Sequence, residues 1–141
     1  MAEDTLHKQF PPYSQSAAEE YMCERQTQHF RDLLESARQE LVEDIERTVH
    51  QLQEDNTLLA DPNDRASQES DMALELRNRD RERKLIRKID EALERITAGE
   101  YGYCDNCGVE IGLKRLEARP TATLCIDCKT LQEIRERQGS R

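Results

Sequence analysis

The chain has 141 residues, of which 36% are charged, 35% belong to the hydrophobic set and only 4% are aromatic, with no Trp. Large apolar side chains are too few to fill one globule of this length. Five Gly and four Pro argue against a turn-rich β-sandwich and leave a mainly helical chain. The formal net charge of −9 speaks against a protein that works by coating phosphates. That charge is uneven: residues 1–76 hold 18 acids and 6 Lys or Arg, whereas residues 77–141 hold 12 acids and 15 Lys or Arg. The asymmetry points either to a surface for a partner or to pairing between the two halves.

No run of 18 apolar residues offers a membrane span, and MAEDTLHKQF lacks the basic-then-apolar pattern of a signal peptide. The expectation is a soluble, cytoplasmic protein. Residues 1–18, with Pro11, Pro12, Ser14 and Ser16, show no periodic apolar pattern and read as an arm. From about Glu19 to Leu59, Phe30, Leu34, Ala37, Leu41, Ile45, Val49 and Leu52 recur at steps of three or four, which predicts a helix with a narrow apolar stripe. Pro62 breaks the pattern but suits the first turn of a new helix, with Asp61 at its N-cap and Asp64 near its free N–H groups. The second helix, carrying Ala73, Leu76, Leu85, Ile89, Leu93 and Ile96, ends before Gly99. Helices joined by a short turn pack antiparallel. Roughly 32–38 residues each, at ~1.5 Å rise, make a hairpin about 50 Å long. Its domain 19–98 has a tip at 60–66.

Residues Arg77 to Lys84 contain no apolar side chain for two turns. They form either a solvated face with pairs such as Asp80 and Lys84 or a basic collar for an acidic partner. In both cases those turns lack a dry core.

Cys104, Cys107, Cys125 and Cys128 read C-x2-C-x17-C-x2-C, the spacing of a four-thiolate zinc site. Zn²⁺ takes tetrahedral sulfur at about 2.3 Å, and four thiolates leave no open position, so the implied zinc is structural. Gly102 and Gly108 flank the first pair, as tight turns require. Lys114, Arg115, Arg119 and Lys129 lie near enough in sequence to offset the cluster's negative charge. With few apolar residues in 99–141, metal binding supplies folding energy. Disulfides are disfavoured in a cytosolic chain, and a redox Cys-x-x-Cys would need a βαβ context. A thiol sensor that loses zinc on oxidation stays open. Cys23 reads as an ordinary thiol, and His7, His29 and His50 show no ligand spacing. The fold class is thus mainly α: a long antiparallel helical hairpin (coiled coil), then a domain 99–141 holding a small four-cysteine zinc finger and a C-terminal helix.

The stretch YGYCDNCGVEIGLKRLEARPTATLCIDCK, preceded by LELRNRDRERKLIRKID and DPNDRASQE, resembles the DksA/TraR zinc-finger family over about residues 19–138. The resemblance implies a non-enzymatic transcription regulator that binds RNA polymerase, with no sequence-specific DNA binding of its own. It implies a coiled coil that enters the secondary channel and, with the alarmone ppGpp of the stringent response, destabilises open complexes at ribosomal RNA promoters and activates some biosynthetic promoters. Asp61, Asp64 and Ala66 match the family's tip residues; Asp61 and Asp64 also serve as helix-capping groups. Lys88, Arg119 and Lys129 match its ppGpp contacts, and phosphates suit such Arg forks and Lys charges. Arg81 and Leu85 match helix positions that face polymerase. A monomer is expected. The alternatives are a zinc-ribbon nucleic-acid binder, a transcript-cleavage factor of the same channel and a thiol oxidoreductase.

Overall fold

The computed structural model describes residues 11, 13, 18–55 and 62–139. Among the described residues four helices follow in order: α1 Glu24–Asp55, α2 Pro62–Ala98, α3 Leu113–Ala118 and α4 Ile126–Gly139. Among the described residues there is no strand, only an isolated antiparallel bridge between Tyr103 and Glu110. The mainly helical class expected from composition therefore holds, and α1 and α2, at 32 and 37 residues, have the lengths that their apolar periodicity implied. Pro62 opens α2, where its missing N–H costs nothing. Asp61 lies outside the described residues.

The described residues form two compact units, one made of those up to Leu34 together with those from Glu91 onward, the other Glu35–Asp90. In the first unit Phe30, Leu33, Leu34, Ile96, Tyr101, Ile111 and Leu116 are buried. Rings stack through it, with His29 edge-on to Phe30 at 5.0 Å and Phe30 tilted against Tyr101 at 5.7 Å. The Tyr101 hydroxyl donates to the Pro120 carbonyl at 2.6 Å, so the buried phenol keeps a partner. The start of α1 is fixed by Gln26, which is fully buried. Its Oε1 accepts the Met22 N–H at 2.8 Å and its Nε2 donates to Glu19 at 3.1 Å. A side chain in the first turn that reaches back to the N–H before the helix is the logic of a capping box.

The second unit is an antiparallel helix pair. Arg38 Nε on α1 donates to Asp90 on α2 at 2.7 Å, and Asp44 on α1 is close enough to act on the charge of Glu82 on α2. The midpoint in sequence is position 64 for the first couple and 63 for the second, so both place the reversal beside Pro62. Only Ala37 and Ile89 of this unit's described residues are buried hydrophobics, as a narrow two-helix seam implies.

Candidate metal centre

The first cysteine pair sits on a knuckle between α2 and α3. Cys104 N–H donates to the Val109 carbonyl at 2.8 Å and Gly108 N–H to the Cys104 carbonyl at 3.0 Å. The turn needs Gly102 and Gly108 at φ of 95° and 79°, the left-handed region that only Gly adopts without strain. Gly102 has a second reason to be Gly: a Cβ there would lie 2.9 Å from Met22 Cγ. The second pair is held differently. Cys125 immediately precedes α4 and Cys128 lies in its first turn, where Lys129 N–H donates to the Cys125 carbonyl at 2.9 Å. A helix N-terminus presents the positive end of its dipole, which favours thiolate charge.

These elements bring the four sulfurs within 4.8 Å of one another, with Cys107 Sγ and Cys125 Sγ 3.7 Å apart. A tetrahedron with sulfur about 2.3 Å from zinc has edges of about 3.8 Å, so the donor set fits that ion in number, chemistry and spacing. All four are free thiols. The Cys104 thiol, although burial opposes its charge, is drawn down to about 6 by hydrogen bonds from the backbone of Cys107, Cys125 and Asn106. The Asn106 side chain pulls Cys128 down, but hydrogen bonds shared with Cys125, Cys107 and Cys104, together with burial, push it up to about 12. Cys104 thus gives up its proton readily while Cys128 holds its own, and a divalent cation bound among the sulfurs would displace the protons that remain. Such a cation supplies cross-linking of the two pairs and no reactive position.

Around the cluster, polar contacts lock the backbone. The Tyr21 hydroxyl donates to the Gly102 carbonyl at 2.7 Å and accepts the Gly112 N–H at 3.0 Å. Arg115 Nε donates to the Leu124 carbonyl at 3.0 Å, next to Cys125. Arg95 near the end of α2 pairs with Asp105 of the knuckle, and Asn106 Nδ2 reaches Cys128 Sγ at 3.4 Å. His29, which shows no ligand spacing in sequence, pairs instead with Glu117 at 2.7 Å. Glu117 also accepts the Tyr13 N–H at 2.9 Å. Sequence reasoning missed Tyr21 and Glu117, because their partners lie up to 91 positions away, and it missed Gln26, whose partners Met22 and Glu19 are local but whose pattern is only part of a capping box.

The other residues singled out in sequence fall into two groups. Lys88, Arg81 and Ala66 are exposed on α2 and Leu85 is half-buried there. Asp64 is in the first turn of α2, and its side chain, like all of Asp61, lies outside the described residues. Arg119 closes α3 and lines an open groove of about 420 Å³ with Lys114, Arg115 and Ile126. Lys129 on α4 is half-buried and donates to Gln132 at 3.2 Å. Arg119 and Lys129 therefore belong to the unit that carries the cysteines, and Arg81, Leu85 and Lys88 to the helix pair.

Comparison with known proteins agrees with this arrangement. Residues 26–96 match the family model described as DnaK suppressor protein DksA, N-terminal domain, and residues 99–133 match the prokaryotic dksA/traR C4-type zinc finger. The RNA polymerase-binding transcription factor DksA of Escherichia coli (strain K12) is 57% identical over 127 residues, covering 90% of this chain and 84% of that protein. Its counterpart in Haemophilus influenzae is 56% identical, with 90% and 88% covered. The structure of transcription factor DksA2 from Pseudomonas aeruginosa superposes with a TM-score of 0.78 at 47% identity, covering 97% of this chain and 99% of that one. The C4 family match and the four-sulfur cluster together support a structural zinc.

Proposed function

The chain belongs to the DksA/TraR zinc-finger family, and from that premise we propose that it is a transcription regulator that binds RNA polymerase. What carries the reading is the 57% identity to a factor named for binding RNA polymerase, spread over 90% of this chain. The role is non-enzymatic: four thiolates around one zinc at Cys104, Cys107, Cys125 and Cys128 leave no site for a substrate. It acts in the cytoplasm, as a monomer.

In this reading residues 1–18 are an arm, 19–98 the coiled coil, and 99–141 the zinc finger with its C-terminal helix. The tip at 60–66, with Asp61, Asp64 and Ala66, enters the secondary channel of polymerase, where the two acids bring negative charge near the catalytic centre. The capping role that the sequence assigns to these acids is compatible with that function, because a carboxylate at a helix N-terminus is favoured there. Arg81 and Leu85 meet polymerase along α2. Lys88, Arg119 and Lys129 take the phosphates of ppGpp where the protein meets polymerase, through charge-assisted hydrogen bonds. The net charge of −9 supports binding of polymerase protein rather than of bare DNA.

The test is transcription in vitro from a ribosomal RNA promoter, with and without ppGpp. The wild type is expected to inhibit, and more strongly with ppGpp, whereas Asp64→Asn binds polymerase yet loses the inhibition. Full inhibition by Asp64→Asn overturns the tip mechanism. A wild-type protein that does not bind polymerase overturns the whole reading, and cleavage of stalled transcripts would redirect it to a cleavage factor.

A further inference from the structure

Along α2 the inward face of the helix pair is marked by burial. Between positions 66 and 84 the half-buried residues are Gln68, Met72, Glu75, Arg79 and Glu82, all others being exposed, and the series continues through Ile86 to Ile89. The steps alternate four and three, the a and d spacing of a coiled coil, whose seam is normally apolar. Here three successive seam positions are charged. The two turns without apolar residues therefore do not simply face water, because one of their arginines points into the seam.

Arg79 is the most enclosed of the three, with its side chain 12% exposed. Its Nη1 donates to Glu82 at 2.9 Å and its Nη2 reaches Glu75 at 3.5 Å, while its Nε is buried without a hydrogen-bond partner. Desolvation raises the Glu82 carboxyl above its ordinary value against the pull of Arg79, and Asp44 of the facing helix and Glu75 add to the rise. One guanidinium is thus held between two acids of its own helix, and a third acid, Asp44 of the facing helix, acts on one of them, Glu82.

We propose that Arg79, with Glu75 and Glu82, is a register pin: a positioning group set in the seam that fixes the axial alignment of α1 and α2. A purely apolar seam tolerates a slip of one heptad, because apolar layers then meet other apolar layers. This seam does not. In the observed register Asp44 and the half-buried Thr48 of α1 lie level with the charged layer. Sliding α1 by seven residues one way sets Ala37 and Leu41 against it, and sliding the other way sets Asp44 and Thr48 against Ile86 and Ile89. Either slip desolvates charge against hydrocarbon. A polar group at one seam position that selects register at a cost in stability is a known device of coiled coils.

The test uses the full zinc-loaded chain and needs no polymerase, so its failure is distinct from failure of the functional reading. Cross-helix nuclear Overhauser contacts are recorded between the methyl groups of Leu41, Val42 and Ile45 and those of Ile86 and Ile89. The wild type is expected to give one set. The variant Glu75→Leu/Arg79→Leu/Glu82→Leu, which completes the apolar seam, is expected to melt about 5–10 °C higher yet to give a second set of contacts displaced by a heptad. Moving the cation one layer, in Arg79→Glu/Glu82→Arg, keeps the charge composition and is expected to restore one set. A single native set in the triple-leucine variant, or two sets in the swapped variant, overturns the proposal.

Discussion

The unit that carries the cysteines and the helix pair solve the same shortage of apolar residues in opposite ways. The first concentrates Phe30, Leu33, Leu34, Tyr101 and Leu116 in one core and adds a four-sulfur metal site. The second spreads half-buried Leu, Ile and Val along a seam, interrupts it with Glu75, Arg79 and Glu82, and fully buries only Ala37 and Ile89 among its described hydrophobic residues. The lesson is that a chain with 4% aromatics can form one dense core, provided that its other half is long, regular and held by repetition of many small contacts.

Removing the metal should break this comparison most severely. Chelation is expected to unfold the segment between Tyr101 and Cys128, a loss on the order of 10 kcal/mol, while the helix pair 35–90 keeps its helical signal. Amide spectra with and without chelator would resolve the two units. Loss of both together would show that the pair has no stability of its own. The affinity for zinc is expected to fall as pH drops, because the thiols must give up their protons.

Core truncations sharpen the contrast at smaller scale. Phe30→Ala, at a site with no solvent exposure, should cost about 3–5 kcal/mol. Leu41→Ala, at a half-buried seam position, should cost about 1–2 kcal/mol, below the usual range for a buried leucine. Chemical denaturation of the two variants measures both; equal losses would mean that the seam is as tightly packed as the core. Gly102→Ala combines a φ of 95° with a Cβ 2.9 Å from Met22 Cγ and should cost about 1–3 kcal/mol, whereas Gly108→Ala meets no atom within 4 Å and suffers from the backbone angle alone.

The smallest effect concerns pH. Burial raises the Glu82 carboxyl above its ordinary 4.5, so the folded state holds that proton more tightly than the unfolded chain does. The stabilisation that follows is fully present below pH 4.5 and is lost as pH rises through the raised value. Glu82 stays partly solvated, so the effect is screened. The melting midpoint of the helix pair should therefore drop slightly from about pH 4.5 to about pH 7, and Glu82→Gln should flatten that trend. An unchanged slope would show that Glu82 is solvated like its exposed neighbours.

Much of this was readable in advance. The steps of three and four from Phe30 onward fixed α1, Pro62 fixed the start of α2, and the spacing of four cysteines fixed the metal site's donors, since each signal is local and tied to one backbone geometry. The short connection before Pro62 even implied the antiparallel pairing. The direction of Arg79 was not readable, because in a stretch with no apolar residue the period has nothing to mark the inward face. Nor was the different housing of the two cysteine pairs: both read Cys-x-x-Cys, yet one lies on a knuckle and the other at the start of α4.

What the sequence determined by itself is therefore the set of elements and the chemistry of the sulfurs, properties encoded over spans of a few residues. Only the tertiary structure decided the contacts that join distant positions, such as the Tyr21 hydroxyl between Gly102 and Gly112, His29 on Glu117 and Arg38 on Asp90. Hydrogen bonds and ion pairs between remote residues leave no periodicity in a single chain, since either partner alone looks like an ordinary surface side chain until folding removes water from around it.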